Sequence, residues 1–212
     1  MNMDIEILYE DEYLLFAVKP VGVLSQKGDG PNMIDLLSED RGEVFPVHRL
    51  DTAVGGIMVF AKSTQAAAKL SALVSRNEIE KQYLAVLQGV PEKESDTIVD
   101  LLFKDSRKNK SFVVNRERKG VKKASLEYTL IKAENGLSLV RVKLHTGRTH
   151  QIRVQFASRK LPLLGDGKYG SKCNKCSVAL WSHTLSFIHP YTKKEIGFTA
   201  FPPSDRFPWN NF

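Results

Sequence analysis

Residues 124–144, ASLEYTLIKAENGLSLVRVKL, contain two runs in which apolar and polar side chains alternate. Alternation with a period of two is typical of a β-strand that buries one face. The two runs are joined by Asn135-Gly136, a dipeptide suited to the type I′ turn of a two-residue hairpin. This segment therefore predicts an antiparallel hairpin.

Apolar runs on both sides of the hairpin predict further strands. They cover residues 5–9, 13–18, 45–50, 56–61 and 82–89, and residues 178–200 contain two more. Residues 64–76 have apolar side chains about 3.6 residues apart, which predicts a helix capped by Ser63 or Thr64. Residues 148–160 predict another helix. Because hairpins outnumber βαβ units, we expect an α+β fold with a mainly antiparallel or mixed sheet and a few helices.

Length and composition favour an ordinary globular protein. The chain has 212 residues, of which 42% are hydrophobic and 26% are charged. Its apolar stretches are all shorter than the roughly 18 residues of a membrane span. The N-terminal sequence MNMDIEILYEDE is acidic, whereas a secretory signal begins with basic residues. We therefore expect a cytoplasmic protein that does not associate with a membrane.

Charge is distributed unevenly along the chain. Residues 1–60 hold 4 Lys and Arg against 11 Asp and Glu, whereas residues 61–212 hold 27 against 13. The stretch 107–123, RKNKSFVVNRERKGVKK, has eight basic residues and one acidic residue. Because its basic residues bracket an apolar FVV, the stretch predicts a basic hairpin rather than a disordered tail. A basic surface of this kind suits a polyphosphate partner, and nucleic acid is the expected one.

Two motifs that resemble cofactor sites lack the context such sites need. GDGKYG at 165–170 has the letters of a dinucleotide-binding loop, but Pro162 precedes it and a polar segment follows, so we expect a tight turn. Cys173 and Cys176 form a CxxC pair, with His183 as the nearest further zinc ligand. A zinc site, a redox pair and two ordinary reduced cysteines are the alternatives, and the sequence favours the last. We expect neither a metal nor another cofactor.

Several polar residues lie inside otherwise apolar segments. Asp51 follows His48 and Arg49 in HRLDTAVGGIMVFAK (48–62), and Tyr83 lies within EKQYLAV. A third group is concentrated in LHTGRTHQIRVQ: Arg148, His150, Gln151 and Arg153. Taken singly, each has a structural explanation as a surface, core or capping residue. Asp51 also lies in a predicted loop between two strands, a position from which a reactive carboxylate can be presented.

Together these motifs resemble those of the RluA-type RNA pseudouridine synthases. The order is HRLD…GxxxxAK, then KxYLAxxxG, then LxTGRTHQIRVxxAxxxxPxxGDxxYG, with a family-like KPxG segment near the start and an HP segment near the end. The resemblance covers nearly the whole chain and implies a single catalytic domain over residues 1–212 with the pseudouridine synthase fold. Many relatives have Thr-Ser where this chain has Val54-Gly55, which predicts a looser loop. We also expect no separate S4 RNA-binding module before the catalytic segment.

The resemblance implies specific roles for the matching residues. Asp51 corresponds to the catalytic nucleophile, Tyr83 to the active-site tyrosine, and Arg153 to the basic partner of the aspartate. Arg49 corresponds to an arginine that stabilises the flipped-out nucleotide, and Ile152 is either an apolar wall of the pocket or plain core. The remaining residues expected to bind RNA are His48, Arg148, His150, Gln151, Lys108, Lys110, Lys119 and Lys122.

The expected activity is isomerisation of uridine to pseudouridine in ribosomal or transfer RNA by a monomeric enzyme. One alternative is a non-catalytic RNA-binding protein on the same scaffold. Another is a hydrolase of N-glycosidic bonds, which would need a second carboxylate beside Asp51, with Asp166 as the nearest candidate.

Overall fold

A computed structural model describes residues 3–212, which form two compact units. The first contains the chain up to Lys81 together with Trp181–Pro202, and the second contains Gln82–Leu180 and Pro203–Phe212. Within residues 3–212, none of the helices has both the length and the apolar character needed to cross a bilayer. The expectation of one catalytic domain over residues 1–212 stays a prediction.

The described residues form eleven strands, three α-helices and two short 3₁₀ segments. The strands are β1 (Ile7–Glu10), β2 (Leu14–Lys19), β3 (Phe45–Pro46), β4 (Gly55–Ala61), β5 (Glu80–Gln88), β6 (Ser95–Asp105), β7 (Lys110–Val114), β8 (Val121–Glu134), β9 (Leu137–Leu144), β10 (Leu180–Ile188) and β11 (Glu195–Thr199). The helices are α1 (Met33–Arg41), α2 (Thr64–Ser75) and α3 (Gln151–Ala157), and the 3₁₀ segments are Gly167–Tyr169 and Trp209–Asn211.

The first unit is built around a mixed sheet centred on β4, whose residues are all buried. β2 lies antiparallel to β4 on one side, and β10 lies parallel to β4, with Trp181 opposite Gly55. β1 continues the sheet beside β2, and β11 beside β10, both antiparallel. Helix α2 packs against β4 and begins at Ser63, whose side chain accepts a hydrogen bond from Ala66 N–H. This N-cap confirms one of the two predicted positions.

The second unit contains an antiparallel sheet in the order β5-β9-β8-β6-β7. The predicted hairpin is β8–β9, and its turn residues have the positive φ values of a type I′ turn, 52° at Asn135 and 73° at Gly136. Helix α3 packs on this sheet through Val154, which lies in a cluster with Leu102 of β6 and Ala124 of β8. The α+β fold with a mixed sheet is confirmed.

Two local predictions need correction, and two elements were missed. The strand predicted over 45–50 is only two residues long, Phe45–Pro46, and the next β4 N–H on this side, that of Val59, is bound by the His48 ring instead of by a continued strand. The helix predicted over 148–160 covers only Gln151–Ala157, since His150 and Lys160 both have positive φ values that no α-helix accommodates. Helix α1 and strand β6 were not predicted.

Candidate active site

Asp51 lies half-buried in the irregular segment between β3 and β4. The residues on both sides of it are fixed through their backbone. Leu50 donates its N–H to Ser25 Oγ at 2.9 Å and accepts from the same hydroxyl at 2.8 Å. Thr52 O accepts from Gly22 N–H at 2.8 Å. Asp51 is therefore presented from a short segment whose two flanking residues are both anchored to residues 22–25.

Lys19 is a further anchor of this segment. Its side chain has no solvent exposure, and its ammonium donates to Pro20 O at 2.8 Å, Val23 O at 2.6 Å and Thr52 O at 3.3 Å. Burial lowers the pKa of Lys19 to about 8, while the negative charge of Asp51 acts to raise it. Lys19 thus supplies a positive charge to the neighbourhood of Asp51 and also holds the residue that follows it.

The glycine pair after the segment allows β10 to approach closely. A Cβ on Gly55 would lie 2.4 Å from the Trp181 ring, and a Cβ on Gly56, which has φ +115°, would lie 2.2 Å from Ser182 O. Val54 is buried and donates its N–H to Asp51 O at 2.9 Å, which closes the turn. These contacts speak against the looser loop expected from Val54-Gly55, since both residues are tightly packed.

His48 and Arg49 precede Asp51 and differ in their surroundings. His48 Nε2 accepts the Val59 N–H at 3.1 Å, so the ring is neutral and carries its proton on Nδ1. Burial, together with the charge of Lys81, lowers the pKa of His48 to about 3. The ring therefore holds the segment against β4 and supplies no positive charge to RNA at neutral pH. Arg49 is exposed and available to a partner. Contact of either residue with RNA stays a prediction.

Tyr83 and Arg153 belong to the second unit. Tyr83 lies on β5 opposite Val142 of β9 and is only 7% exposed. Arg153 lies on α3 and is buried, and its Nε and Nη2 donate to the two carboxylate oxygens of Asp166 at 2.7 and 2.8 Å. A guanidinium paired in this bidentate way has a fixed plane as well as a fixed position.

The other residues of the GRTHQIR motif mainly support the start of α3. The Gln151 side chain is buried, accepts from Thr146 Oγ1 and Arg148 N–H, and donates to Ser125 O at 3.1 Å. Arg148 Nε donates to Lys123 O at 3.1 Å. These hydrogen bonds position the turn that leads into α3. The expected contacts of Arg148 and Gln151 with RNA stay predictions.

His150 and Ile152 flank Gln151 in the same motif. His150 is the half-buried residue before α3, and its Nδ1 lies 3.0 Å from the Tyr169 hydroxyl. Ile152 is 4% exposed, which fits either the pocket wall or the core. Contact of either residue with RNA stays a prediction.

The basic stretch 107–123 comprises the turn after β6, strand β7, a loop and the start of β8. Three of its four predicted RNA-binding lysines are exposed: Lys108, Lys119 and Lys122. Lys110 differs, because its ammonium donates to Lys168 O at 2.6 Å and lies 4.9 Å from the centre of the Tyr169 ring. Lys110 therefore connects β7 to the turn at 165–170. Contact of any of the four lysines with RNA stays a prediction.

Cys173 and Cys176 pack beside a small hydrophobic cluster that includes Val86 and Leu164. Burial, together with the neighbouring Cys173, raises the pKa of the Cys176 thiol to about 11, so Cys176 is a protonated thiol at neutral pH. Thiolates are the reactive and metal-binding form of cysteine. Within residues 3–212, no group of three or more His, Cys, Asp and Glu side chains is arranged to hold a metal ion.

Comparisons with known proteins agree on one family. The family model described as RNA pseudouridylate synthase matches residues 13–158. The chain belongs to this family. It is 31% identical to ribosomal large subunit pseudouridine synthase D of Zymomonas mobilis, over 96% of this chain and 71% of that protein. It is 30% identical to tRNA pseudouridine synthase C of Haemophilus influenzae, over 92% of each chain.

A solved structure supports the fold of this synthase independently. Human RNA pseudouridylate synthase domain containing 1 superposes with a TM-score of 0.81 at 22% identity, covering 96% of this chain and 85% of that one. The resemblance seen in the sequence motifs is therefore confirmed, and the protein is an isomerase that acts on uridine in RNA.

Sequence reasoning did not assign a supporting role to several residues that hold the predicted catalytic groups of the synthase. Lys19 and Ser25 hold the Asp51 segment, and Asp166 holds Arg153. Lys19 had a signal in the KPxG segment, and Asp166 had one in GDxxYG, but a motif letter does not say which backbone or side chain it contacts.

Proposed function

We propose that this synthase isomerises specific uridines in ribosomal or transfer RNA to pseudouridine, with Asp51 as the nucleophile. The observation that carries the proposal is the fixed presentation of the Asp51 segment in a chain of this family. Both substrate classes are represented among its relatives, a large-subunit ribosomal RNA enzyme and a transfer RNA enzyme.

The reaction rearranges one nucleotide without net oxidation or reduction. The bond between ribose C1′ and uracil N1 breaks, a bond between C1′ and C5 forms, C5 loses its proton and N1 gains one. The Asp51 carboxylate forms a covalent bond with the sugar or the base, which keeps the substrate attached while the uracil turns over. A carboxylate suits this step because it can attack and later leave, as it does in retaining glycosidases.

The other proposed catalytic groups assist this step. Tyr83 stacks its ring on the uracil, and its hydroxyl assists removal of the C5 proton. Arg153 is the basic partner of the nucleophilic carboxylate. Arg49, which is exposed, stabilises the RNA after the target nucleotide leaves its stack. Flipping a base out costs a few kcal/mol, so a looped or unpaired uridine is the preferred substrate.

RNA is held mainly by the exposed lysines of the stretch 107–123. Each ammonium that neutralises a phosphate releases a counterion, which makes binding strong at low salt and weak at high salt. We expect the enzyme to be a cytoplasmic monomer, and light scattering of the purified protein tests the oligomeric state.

The geometry argues against the hydrolase alternative. A glycoside hydrolase needs a second carboxylate to act as an acid or base, and Asp166 was the nearest candidate. Both oxygens of Asp166 accept hydrogen bonds from Arg153, and the side chain is 1% exposed. This arrangement favours a role of Asp166 in holding Arg153 over a role as the second carboxylate of a hydrolase.

The proposal is tested by deleting the gene in its host and mapping pseudouridine across all stable RNA. We expect at least one pseudouridine in ribosomal or transfer RNA to disappear, and the purified protein to restore it in RNA from the deletion strain. Restoration by the gene in trans is the control. An unchanged map together with no modification by the purified protein would overturn the proposal, and release of free uracil would support the hydrolase.

A further inference from the structure

The turn at residues 165–170, GDGKYG, is built to hold the side chain of Asp166 in one place. Gly165 has φ +78°, and a Cβ at this position would lie 2.3 Å from Ser177 O, so the backbone of the following loop packs directly on it. Asp166 N–H donates to Leu163 O at 3.1 Å, and Asp166 O accepts from Ser171 N–H at 3.0 Å. The backbone of Asp166 is therefore fixed on both sides.

The Asp166 carboxylate makes a complete, planar pair with Arg153. The two oxygens accept from Nε and Nη2 at 2.7 and 2.8 Å, and both side chains are almost completely buried. This pairing leaves the Nη1 edge of the guanidinium on the side away from Asp166. A bidentate pair sets the direction in which the remaining N–H groups point, which a single hydrogen bond does not.

Tyr169, at the other end of the turn, covers the same guanidinium. The centre of its ring lies 5.2 Å from Arg153 Cζ. Its hydroxyl accepts the Ser111 N–H at 2.8 Å and lies 3.0 Å from His150 Nδ1. Ser111 is in β7, within the basic stretch 107–123. The turn therefore connects β7, a strand within the basic stretch 107–123, to the arginine of α3.

We propose that Asp166 is a positioning residue for the reaction, which acts by fixing the orientation of the Arg153 guanidinium, and that Tyr169 secures this arrangement to β7. The proposal rests on the catalytic role of Arg153 under the proposed function. It assigns a purpose to GDGKYG other than nucleotide binding. A purely structural pair would affect the melting temperature, whereas a positioning pair affects the rate of the chemical step.

Helix α3 offers a matched control. Arg159, on the turn that ends this helix, forms a similar bidentate pair with Asp100, with Nη1 and Nη2 at 2.9 and 3.2 Å from the two oxygens. Asp100→Asn therefore breaks an arginine–carboxylate pair against the same helix without touching Arg153. If such pairs only stabilise α3, Asp100→Asn and Asp166→Asn should have the same kind of effect.

The experiment measures single-turnover release of tritium from C5-labelled uridine in RNA of the deletion strain, over a range of enzyme concentrations. For Asp166→Asn and Asp166→Glu we expect the saturating rate constant to fall by about 10²-fold, since displacement of a catalytic group by about 1 Å can have this effect. The half-saturating enzyme concentration should stay within about twofold of wild type, and Asp100→Asn should leave both values unchanged.

Asp166→Asn removes a charge from a buried pair and can lower thermal stability. Asp166→Glu keeps the charge and moves it by one methylene. Thermal melts and activity assays are therefore run on both variants. A wild-type rate in either folded variant would overturn the proposal. The proposal would also be overturned if only the half-saturating enzyme concentration changed, or if Asp100→Asn lowered the saturating rate constant as much as Asp166→Asn does.

The double variant Arg153→Lys/Asp166→Asn tests whether Asp166 acts through Arg153. Lysine keeps the positive charge but cannot form a bidentate pair, so Asp166 cannot fix its orientation in the same way. The double variant should therefore turn over no more slowly than Arg153→Lys alone, and a further tenfold loss would contradict the proposed route. An inactive wild-type enzyme would instead refute the proposed function, and an active Arg153→Lys variant at the wild-type rate would refute the role of Arg153 on which the proposal depends.

Discussion

Replacing Lys19 by methionine tests how the segment around Asp51 is held. Lys19 is fully buried, and burial lowers its pKa from the ordinary 10.5 to about 8. One pKa unit corresponds to about 1.4 kcal/mol, so the charged side chain costs about 3 kcal/mol of folding free energy below pH 8. Methionine has a similar length and removes this cost.

The substitution also removes the hydrogen bonds of the ammonium. Val23 O, at 2.6 Å, loses this donor, whereas Thr52 O retains the N–H of Gly22. A buried acceptor that loses its donor costs about 1–3 kcal/mol. Loss and gain are of similar size, so we expect the free energy of unfolding of Lys19→Met at pH 7 to lie within about 2 kcal/mol of wild type.

The pH dependence should change much more than the stability at pH 7. Between pH 8 and 10.5 the unfolded chain keeps a proton that folded Lys19 has lost, so Lys19 makes wild-type stability rise with pH in this window. Lys19→Met lacks this rise, which should amount to about 3 kcal/mol in the difference between the two proteins.

The assay is urea unfolding from pH 7 to 10.5. Wild type and variant are compared at each pH, so that the contributions of tyrosine and cysteine ionisation to the pH dependence cancel. Lys27→Met is the control, because its side chain is 76% exposed and its replacement should leave the pH dependence as in wild type. Curves for wild type and Lys19→Met that run parallel across the window would refute the reasoning.

The remaining predictions concern packing, RNA affinity and the tyrosine. Gly56→Ala should lower stability by about 2–6 kcal/mol, because a strained φ and a clash with the backbone of Ser182 combine, whereas Gly167→Ala, with open space around its Cβ position, should melt within a few degrees of wild type. Tyr83→Phe should bind RNA normally but turn over more slowly in the tritium assay, and a wild-type rate would leave stacking as the only role of Tyr83. An alanine variant of the exposed lysines should flatten the plot of log K against log salt by about 0.7–0.9 per lost phosphate contact, and an unchanged slope would show that RNA binds elsewhere. The lysines replaced are Lys108, Lys119 and Lys122.

The elements predicted correctly are those whose signals are local. The β8–β9 hairpin has strict alternation and an Asn-Gly turn, and α2 has both apolar periodicity and a serine cap. Helix α1 also had a local signal, since Asn32 Oδ1 accepts the Asp35 N–H at 3.0 Å, but the short helix has weak periodicity. Strand β6 has an irregular pattern of burial, and its pairing with β7 and β8 determines it.

The candidate site shows the same division between residue identity and residue contacts. Asp51, Tyr83 and Arg153 could be named as candidates because the family motifs contain them as letters, and their catalytic roles stay predictions. The three carbonyl groups that bind the Lys19 ammonium come from residues 20, 23 and 52. Their arrangement depends on how two loops pack, which a sequence motif does not specify. Arg153 and Asp166 likewise occur in one family motif, 13 positions apart, but the motif does not say that their side chains form a pair.

The central claim is that the Asp51 carboxylate is the nucleophile, and Asp51→Asn tests it most directly. Asparagine preserves the size and much of the hydrogen bonding but removes the negative charge and most of the nucleophilicity. The measurement is tritium release from C5-labelled uridine in RNA of the deletion strain, beside an RNA-binding titration and a thermal melt. We expect turnover to fall by about 10⁴-fold, to background, while RNA affinity stays the same or increases slightly. A folded Asp51→Asn variant that retains more than about one hundredth of wild-type turnover, far above this loss, would contradict the claim.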